Sequence, residues 1–211
     1  RSCLVGSEMC IRDSSKGVLE MGEEVEKFEE NFKKYCNVKY CVTVSSGSMG
    51  LLLALKTLDL KKNDEVITVS NSDIPTSHAI TLVGAKIKWV DINEDSLNID
   101  ENKIEKNITK NTRAILPVHL FGNPCNMSKI SSIAKKHKLK IIEDACLATG
   151  AEYKNKKIGS LSDLTVFSTN PGKILDGIGQ VVLLQLTVKI CIFSYFSFVI
   201  MEEKRGLKNG Q

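Results

Sequence analysis

Strand-like and helix-like segments alternate through most of this sequence, and this alternation limits the fold more than any other feature. Short, β-branched segments predict strands at 41–45, 65–70, 86–91, 113–120, 140–144 and 163–168. Helical spacing of apolar residues predicts helices at 22–36, 49–58, 74–83 and 100–108, and a further helix that begins at Ser128. A small hairpin is predicted at 153–158. The pattern indicates a three-layer α/β fold, in which helices cover both faces of a mostly parallel sheet.

Polar clusters follow several of the predicted strands. They are Ser46-Gly47-Ser48, Asn71-Ser72-Asp73, Glu143-Asp144 and the segment from Ser168 to Lys173. Ligands of parallel sheets bind beyond the carboxyl ends of the strands. We therefore expect these clusters to converge on one site.

The chemistry of the clusters suggests a phosphorylated cofactor. Ser46-Gly47-Ser48 stands between a strand and a helix, where free N–H groups seat a phosphate, although an ordinary capped turn has the same appearance. Asp144 can pair with the pyridinium nitrogen of pyridoxal phosphate (PLP) and keep the ring an electron sink. It is equally compatible with a solvated or helix-capping acid.

Lys173 follows a Pro-Gly turn just beyond the last predicted strand. A free lysine is a poor nucleophile, but desolvation or a neighbouring cation makes it competent for Schiff-base chemistry. An ordinary surface lysine is the alternative.

Composition argues against several other classes of protein. The net charge is only +4, and no segment combines clustered Lys and Arg with aromatic residues, so we expect no nucleic-acid partner. The seven cysteines form no C-x-x-C pair, which favours reduced thiols and a cytoplasmic location. His78, His119 and His137 lack metal-ligand spacing, and we predict no metal site. The apolar run at 190–201 is too short to cross a bilayer, so we predict no membrane partner.

Both ends differ in character from the middle of the chain. Residues 1–14 have no clear period and are interpreted as a non-native leader, and 15–184 as one large cofactor-binding domain. Residues 185–211 are interpreted as an aberrant tail that stands in place of a second, smaller domain.

Eight segments together resemble the DegT/DnrJ/StrS sugar aminotransferases, in order and spacing, over residues 18–183. The segments are FEENF (28–32), SSGSMGLLLAL (45–55), DEVITVS (64–70), GAKIKWVDIN (84–93), ILPVHLFG (115–122), IIEDA (141–145), GAEYKNKKIGS (150–160) and FSTNPGK (167–173). The resemblance implies the large domain of the aspartate aminotransferase class (type I) of PLP enzymes.

The resemblance also assigns roles to individual residues. It implies that Lys173 carries PLP and that Asp144 pairs with the ring nitrogen. Phosphate contacts are expected from Ser48, the backbone of Met49, and Ser168. The implied reaction moves an amino group, with glutamate as the expected donor, onto a nucleotide-linked keto-sugar in polysaccharide or amino-sugar biosynthesis. A homodimer is implied as well.

Three departures from the family pattern leave alternatives open. Asp73 stands where the family has an aromatic residue stacked on the cofactor ring, and Leu147 stands where it has a supporting Gln. Ile178 and Gln180 interrupt its glycine-rich stretch. A catalytically silent binding protein is therefore one alternative. A sugar dehydratase of the same family is another, but that branch has His in place of the lysine. Because the second domain is not recognisable, we expect weak PLP retention and no transamination from the 211 residues alone.

Overall fold

A single twisted sheet organises the structure, a computed structural model that describes residues 22–170 and 172–175 and the backbone of 182–186. Its seven strands within these residues are β1 (Tyr40–Val44), β2 (Glu65–Val69), β3 (Lys86–Val90), β4 (Thr112–Ile115), β5 (Lys140–Asp144), β8 (Leu164–Ser168) and β9 (Val182–Leu186). The predicted hairpin is formed by two short strands, β6 (Glu152–Tyr153) and β7 (Lys156–Lys157). The strand order is β1-β9-β8-β5-β4-β2-β3.

The sheet is mostly parallel, as predicted. Every pairing among β3, β2, β4, β5 and β8 is parallel, whereas β9 runs antiparallel to both β1 and β8. Val182 in β9 pairs with Val44 on one side and with Ser168 on the other. The carboxyl ends of β1 and β8 therefore lie level with one another at the edge where the polar clusters were expected.

Strand β9 was not predicted, and it continues two residues past the boundary placed at 184. The leader at 1–14, Ile178, Gln180 and the tail after Leu186 lie outside the described residues. A second difference concerns the segment 113–120. Strand β4 ends at Ile115, and the chain continues through Pro117, which has no N–H for the ladder, to an isolated bridge between Val118 and Asp144.

Helices cover both faces of the sheet. They are α1 (Glu23–Cys36), α2 (Gly47–Lys56), α3 (Ile74–Leu82), α4 (Glu101–Ile104) and α5 (Met127–His137), with 3₁₀ turns at Glu105–Asn107 and Leu120–Gly122. Phe32 of α1 makes an edge-to-face contact with Phe167, with ring centroids 5.4 Å apart. Gly50 of α2 packs against Val166. Because neighbouring residues of a strand face opposite sides of a sheet, α1 and α2 lie in different layers.

Side-chain caps fix the starts of three helices. Ser46, Asp100 and Asn126 accept hydrogen bonds from backbone N–H groups in the first turns of α2, α4 and α5. On the edge strand, Glu29 accepts the Thr43 N–H at 2.6 Å and its hydroxyl at 2.8 Å, which ties α1 to β1. No helix within the described ranges has the length and apolar character needed to cross a membrane.

Candidate active site

A cavity of about 150 Å³ opens at the carboxyl edge of the sheet, between α2, α3 and the segment after β8. It brings together five of the six predicted site residues: Ser48, Asp73, Asp144, Ser168 and Lys173. Thr76, Cys146, Leu147 and Asn170 also line it. The sixth residue, Met49, is not among the lining residues.

Asp144 is the most firmly held group in this cavity. It ends β5 and is 5% exposed. The Thr76 hydroxyl donates to its Oδ2 at 2.7 Å, and the Cys146 N–H donates to its Oδ1 at 3.2 Å. Each of the two carboxylate oxygens thus accepts a hydrogen bond, and the orientation of the carboxylate is fixed.

Thr76 was missed by the sequence analysis. It is 1% exposed on α3, and its hydroxyl lies 2.6 Å from that of Ser72. Since Thr76 donates to Asp144, Ser72 donates to Thr76. A buried threonine within an otherwise apolar helix face is the only sequence signal for this role, and such a signal is weak.

A buried polar network lies beside Asp144 on the other face of β5. Glu143 accepts hydrogen bonds from His119 Nε2 at 2.8 Å, from Ser162 at 2.5 Å and from Thr165 at 3.0 Å. The Cys125 N–H donates to His119 Nδ1 at 3.0 Å, so Nε2 carries the ring proton toward Glu143. The backbone N–H of His119 donates to the backbone carbonyl of Asp144 at 3.0 Å, so this network fixes the backbone that orients the Asp144 side chain.

The start of α2 differs from the prediction for Met49. Its N–H donates to the Ser46 hydroxyl at 3.1 Å and serves as the cap of the helix. The N–H groups of Gly47 and Ser48, by contrast, have no protein acceptor among the residues that the structure describes. These two donors are the ones available to a phosphate.

Ser168 faces the same helix start. It is 3% exposed, and its hydroxyl accepts the Asn170 N–H at 3.3 Å. A Cβ on Gly47 would lie 3.2 Å from Cys146 Sγ and 3.9 Å from Ser168 Oγ. Glycine at this position therefore leaves room for the Cys146 side chain beside the helix start.

Lys173 enters the cavity from a tight turn. Its N–H donates to the Asn170 carbonyl at 3.0 Å, and Gly172 has a φ of +88°, which favours glycine. The Lys173 side chain is 21% exposed, and its Nζ lies 3.9 Å from Asp73 Oδ2. The lysine thus lies in the predicted cavity rather than on an open surface.

Cys146 lines the cavity between these groups. Burial raises the pKa of its thiol well above the usual range, and the negative charge of Asp144 raises the pKa further. The thiol is therefore protonated near neutral pH. It lies in the cavity as a small neutral group and not as a nucleophile.

The groups present fit PLP at two ends. Asp144 suits the ring nitrogen, and the Gly47 and Ser48 N–H groups with Ser168 suit the phosphate. Asn170 Oδ1 is a buried acceptor without a partner in the described part of the chain, as expected in a site completed by a ligand. No group of three or more His, Cys, Asp and Glu within that part could hold a metal ion.

A sequence profile of the DegT/DnrJ/EryC1/StrS aminotransferase family matches residues 8–181. This chain belongs to that family. It is 45% identical over 148 residues to the dTDP-3-amino-3,6-dideoxy-α-D-galactopyranose transaminase of Aneurinibacillus thermoaerophilus, covering 70% of this chain and 41% of the relative. It is 40% identical over 155 residues to the GDP-perosamine synthase of Caulobacter vibrioides, covering 74% of this chain and 42% of that protein.

Solved structures of DegT/DnrJ/EryC1/StrS relatives share the fold. Streptomyces venezuelae DesV superposes with a TM-score of 0.83 at 37% identity, over 86% of this chain and 49% of its own. The GDP-4-keto-6-deoxy-D-mannose-3-dehydratase of Escherichia coli, with bound hydrated PLP, has a TM-score of 0.81 at 31% identity, over 88% of this chain and 49% of its own. The chain spans about half the length of these proteins. The PLP-dependent fold predicted from the sequence is confirmed.

Proposed function

We propose that this chain carries the cofactor-binding half of a PLP-dependent aminotransferase that transfers an amino group, from glutamate, to a nucleotide-linked keto-sugar. The observation that carries the proposal is the convergence of Asp144, Ser168 and Lys173 on one cavity, with Asp144 held by two hydrogen bonds. The transaminase relatives named above support the substrate class.

In this proposal Asp144 holds a proton on the ring nitrogen of the cofactor. PLP, when bound, supplies an electron-withdrawing ring that stabilises negative charge on the carbon beside the transferred nitrogen. Asp144 is 5% exposed and is held in place by hydrogen bonds from the Thr76 hydroxyl and the Cys146 N–H. A nearby carboxylate favours the protonated form of a ring nitrogen.

Lys173 has two roles in the proposed reaction. Its Nζ would hold the cofactor and, when free, would act as the base that takes the proton from the Cα of the amino donor and as the acid that gives it back. The tight turn between Asn170 and Lys173 positions this amine. The N–H groups of Gly47 and Ser48, together with the Ser168 hydroxyl, would hold the phosphate of the cofactor.

We also propose that the protein is a homodimer. Three large apolar side chains near the mouth of the cavity are exposed: Ile74 at 78%, Phe121 at 77% and Ile174 at 65%. A Cβ on Gly122 would lie 3.7 Å from Ile174 Cδ1, so the Phe121-Gly122 turn and Ile174 are neighbours. Exposed apolar groups beside a site favour burial against a second protein surface.

An amino-transfer assay tests the proposed reaction. Residues 22–186 would replace the matching half of the Aneurinibacillus transaminase, and the hybrid would receive PLP, L-glutamate and the dTDP-linked keto-sugar that corresponds to the relative's product. We expect 2-oxoglutarate and the amino-sugar to form in equal amounts, and neither to form with Lys173→Ala. A folded, PLP-loaded hybrid that forms no amino-sugar would contradict the proposal.

A further inference from the structure

Asp73 and Lys173 form an ion pair across the mouth of the cavity, with 3.9 Å between Oδ2 and Nζ. The two side chains differ greatly in exposure, at 78% for Asp73 and 21% for Lys173. Within the described ranges, no other carboxylate oxygen lies within 4.0 Å of the Lys173 ammonium. The Lys173 side chain as a whole is largely withdrawn from water, and Asp73 is the nearest carboxylate to its ammonium among the described residues.

Asp73 has no competing structural duty in the described part of the chain. It occupies the N-cap position of α3, yet its side chain makes no capping hydrogen bond. The neighbouring hydroxyls are already engaged, since Thr76 donates to Asp144 and Ser72 donates to Thr76. The carboxylate of Asp73 is therefore left to interact with Lys173.

We propose that the Asp73–Lys173 ion pair competes with the cofactor for the lysine. The inference rests on the proposed function. To attach PLP, the Lys173 ammonium must lose a proton to solvent before its nitrogen condenses with the cofactor aldehyde, which forms a carbon–nitrogen double bond and releases water. The contact between the Asp73 carboxylate and Nζ is lost when the nitrogen condenses, so this contact opposes attachment of the cofactor. In this way Asp73 sets how readily the cofactor is captured.

The size of the effect follows from the exposure of Asp73. Ion pairs that face solvent contribute about 0.2–1 kcal/mol, which corresponds to a change of about 1.4- to fivefold in a binding constant. Salt screens such a pair. The competition should therefore be modest at low ionic strength and smaller in high salt.

Trapping the adduct with borohydride measures this competition directly. The 211-residue chain and its Asp73→Asn variant would be titrated with PLP and, separately, with pyridoxal, which lacks the phosphate. The fraction of Lys173 modified would be read by peptide mass spectrometry. We expect Asp73→Asn to lower the half-saturating concentration about 1.4- to fivefold with both aldehydes, and the difference to shrink in high salt.

The matched control is Asp59→Asn. Asp59 is 85% exposed and pairs with Lys61 in the loop between α2 and β2, at the opposite edge of the sheet. We expect it to leave the half-saturating concentration unchanged. Equal values for the original chain and Asp73→Asn would overturn the inference, as would a gain seen only with PLP, since that would indicate phosphate repulsion instead. Absence of a Lys173 adduct in every variant would contradict the proposed cofactor site itself.

Discussion

Asp144 and Asp73 line the same cavity, but the protein holds the two carboxylates in different ways. Asp144 is 5% exposed, stands at the end of a central strand and has a hydrogen-bond donor on each oxygen. Asp73 is 78% exposed at a helix start, and its described contact is one ion pair at 3.9 Å. The sheet therefore preorganises the floor of the site, which Asp144 and Ser168 form at the ends of their strands. The mouth, which Asp73 and Lys173 form, depends on a weak ion pair that salt screens.

The largest expected effect concerns the floor. Asp144→Asn should keep the fold but reduce transamination by the hybrid enzyme by several orders of magnitude, because a neutral amide no longer favours a proton on the ring nitrogen. Turnover of the folded, PLP-loaded hybrid is the measurement, and Asp59→Asn is the control for loss of a carboxylate elsewhere. Near-normal turnover in Asp144→Asn would show that this group is not the ring partner.

The substitution Thr76→Val tests how firmly Asp144 is held, because it removes one hydrogen-bond donor and leaves the carboxylate itself in place. The substitution leaves the Asp144 oxygen without its hydroxyl donor, and a hydrogen bond to a charged group contributes about 1.5–3 kcal/mol. We expect the free energy of unfolding in urea to fall by about that amount, together with weaker PLP binding. Thr76→Ser keeps the hydroxyl and should restore both properties. If Val and Ser behave alike, the hydroxyl does not support Asp144.

Two glycines test whether the packing between α2 and β8 is tighter than the packing at the mouth of the site. A Cβ at Gly50 would lie 2.8 Å from Val166 Cγ1, whereas a Cβ at Gly172 meets nothing within 4 Å. Gly50→Ala should lower the free energy of unfolding by about 1–3 kcal/mol through overpacking. Gly172→Ala should cost only about 1 kcal/mol, because its φ of +88° strains an L-residue.

A double variant separates packing from backbone effects at Gly50. Val166→Ala removes the methyl group that the new Cβ would meet, so Gly50→Ala should cost much less in that background. The difference would be read from urea unfolding curves as a coupling energy. Strictly additive costs would mean that α2 and β8 are not in the close contact described.

The sequence predicted the residues that end the strands better than the contacts that hold them in place, for physical reasons. Asp144 and Ser168 end buried strands whose apolar pattern is visible, and parallel strands bring their carboxyl ends to one edge. Thr76 was missed because its bond to Asp144 joins residues 68 positions apart, and nothing local marks that pairing.

Two other differences also come from local ambiguity. The Met49 N–H was expected to contact the phosphate, but it donates to the Ser46 hydroxyl, which caps the helix. In the sequence Ser46-Gly47-Ser48, nothing local shows which of the two serines is the helix cap. Strand β9 was missed because a short apolar run such as 182–186 has no period that separates strand from helix.

The central claim is that Lys173 is the residue that binds PLP. Peptide mapping after borohydride reduction tests it most directly, with the hybrid enzyme that carries residues 22–186, a limiting amount of PLP, and Lys173→Arg as the charge-preserving control. We predict that one peptide, containing Lys173, carries the pyridoxyl label and that Lys173→Arg abolishes it. A label spread over exposed lysines such as Lys138 and Lys154, and unchanged in Lys173→Arg, would contradict the account.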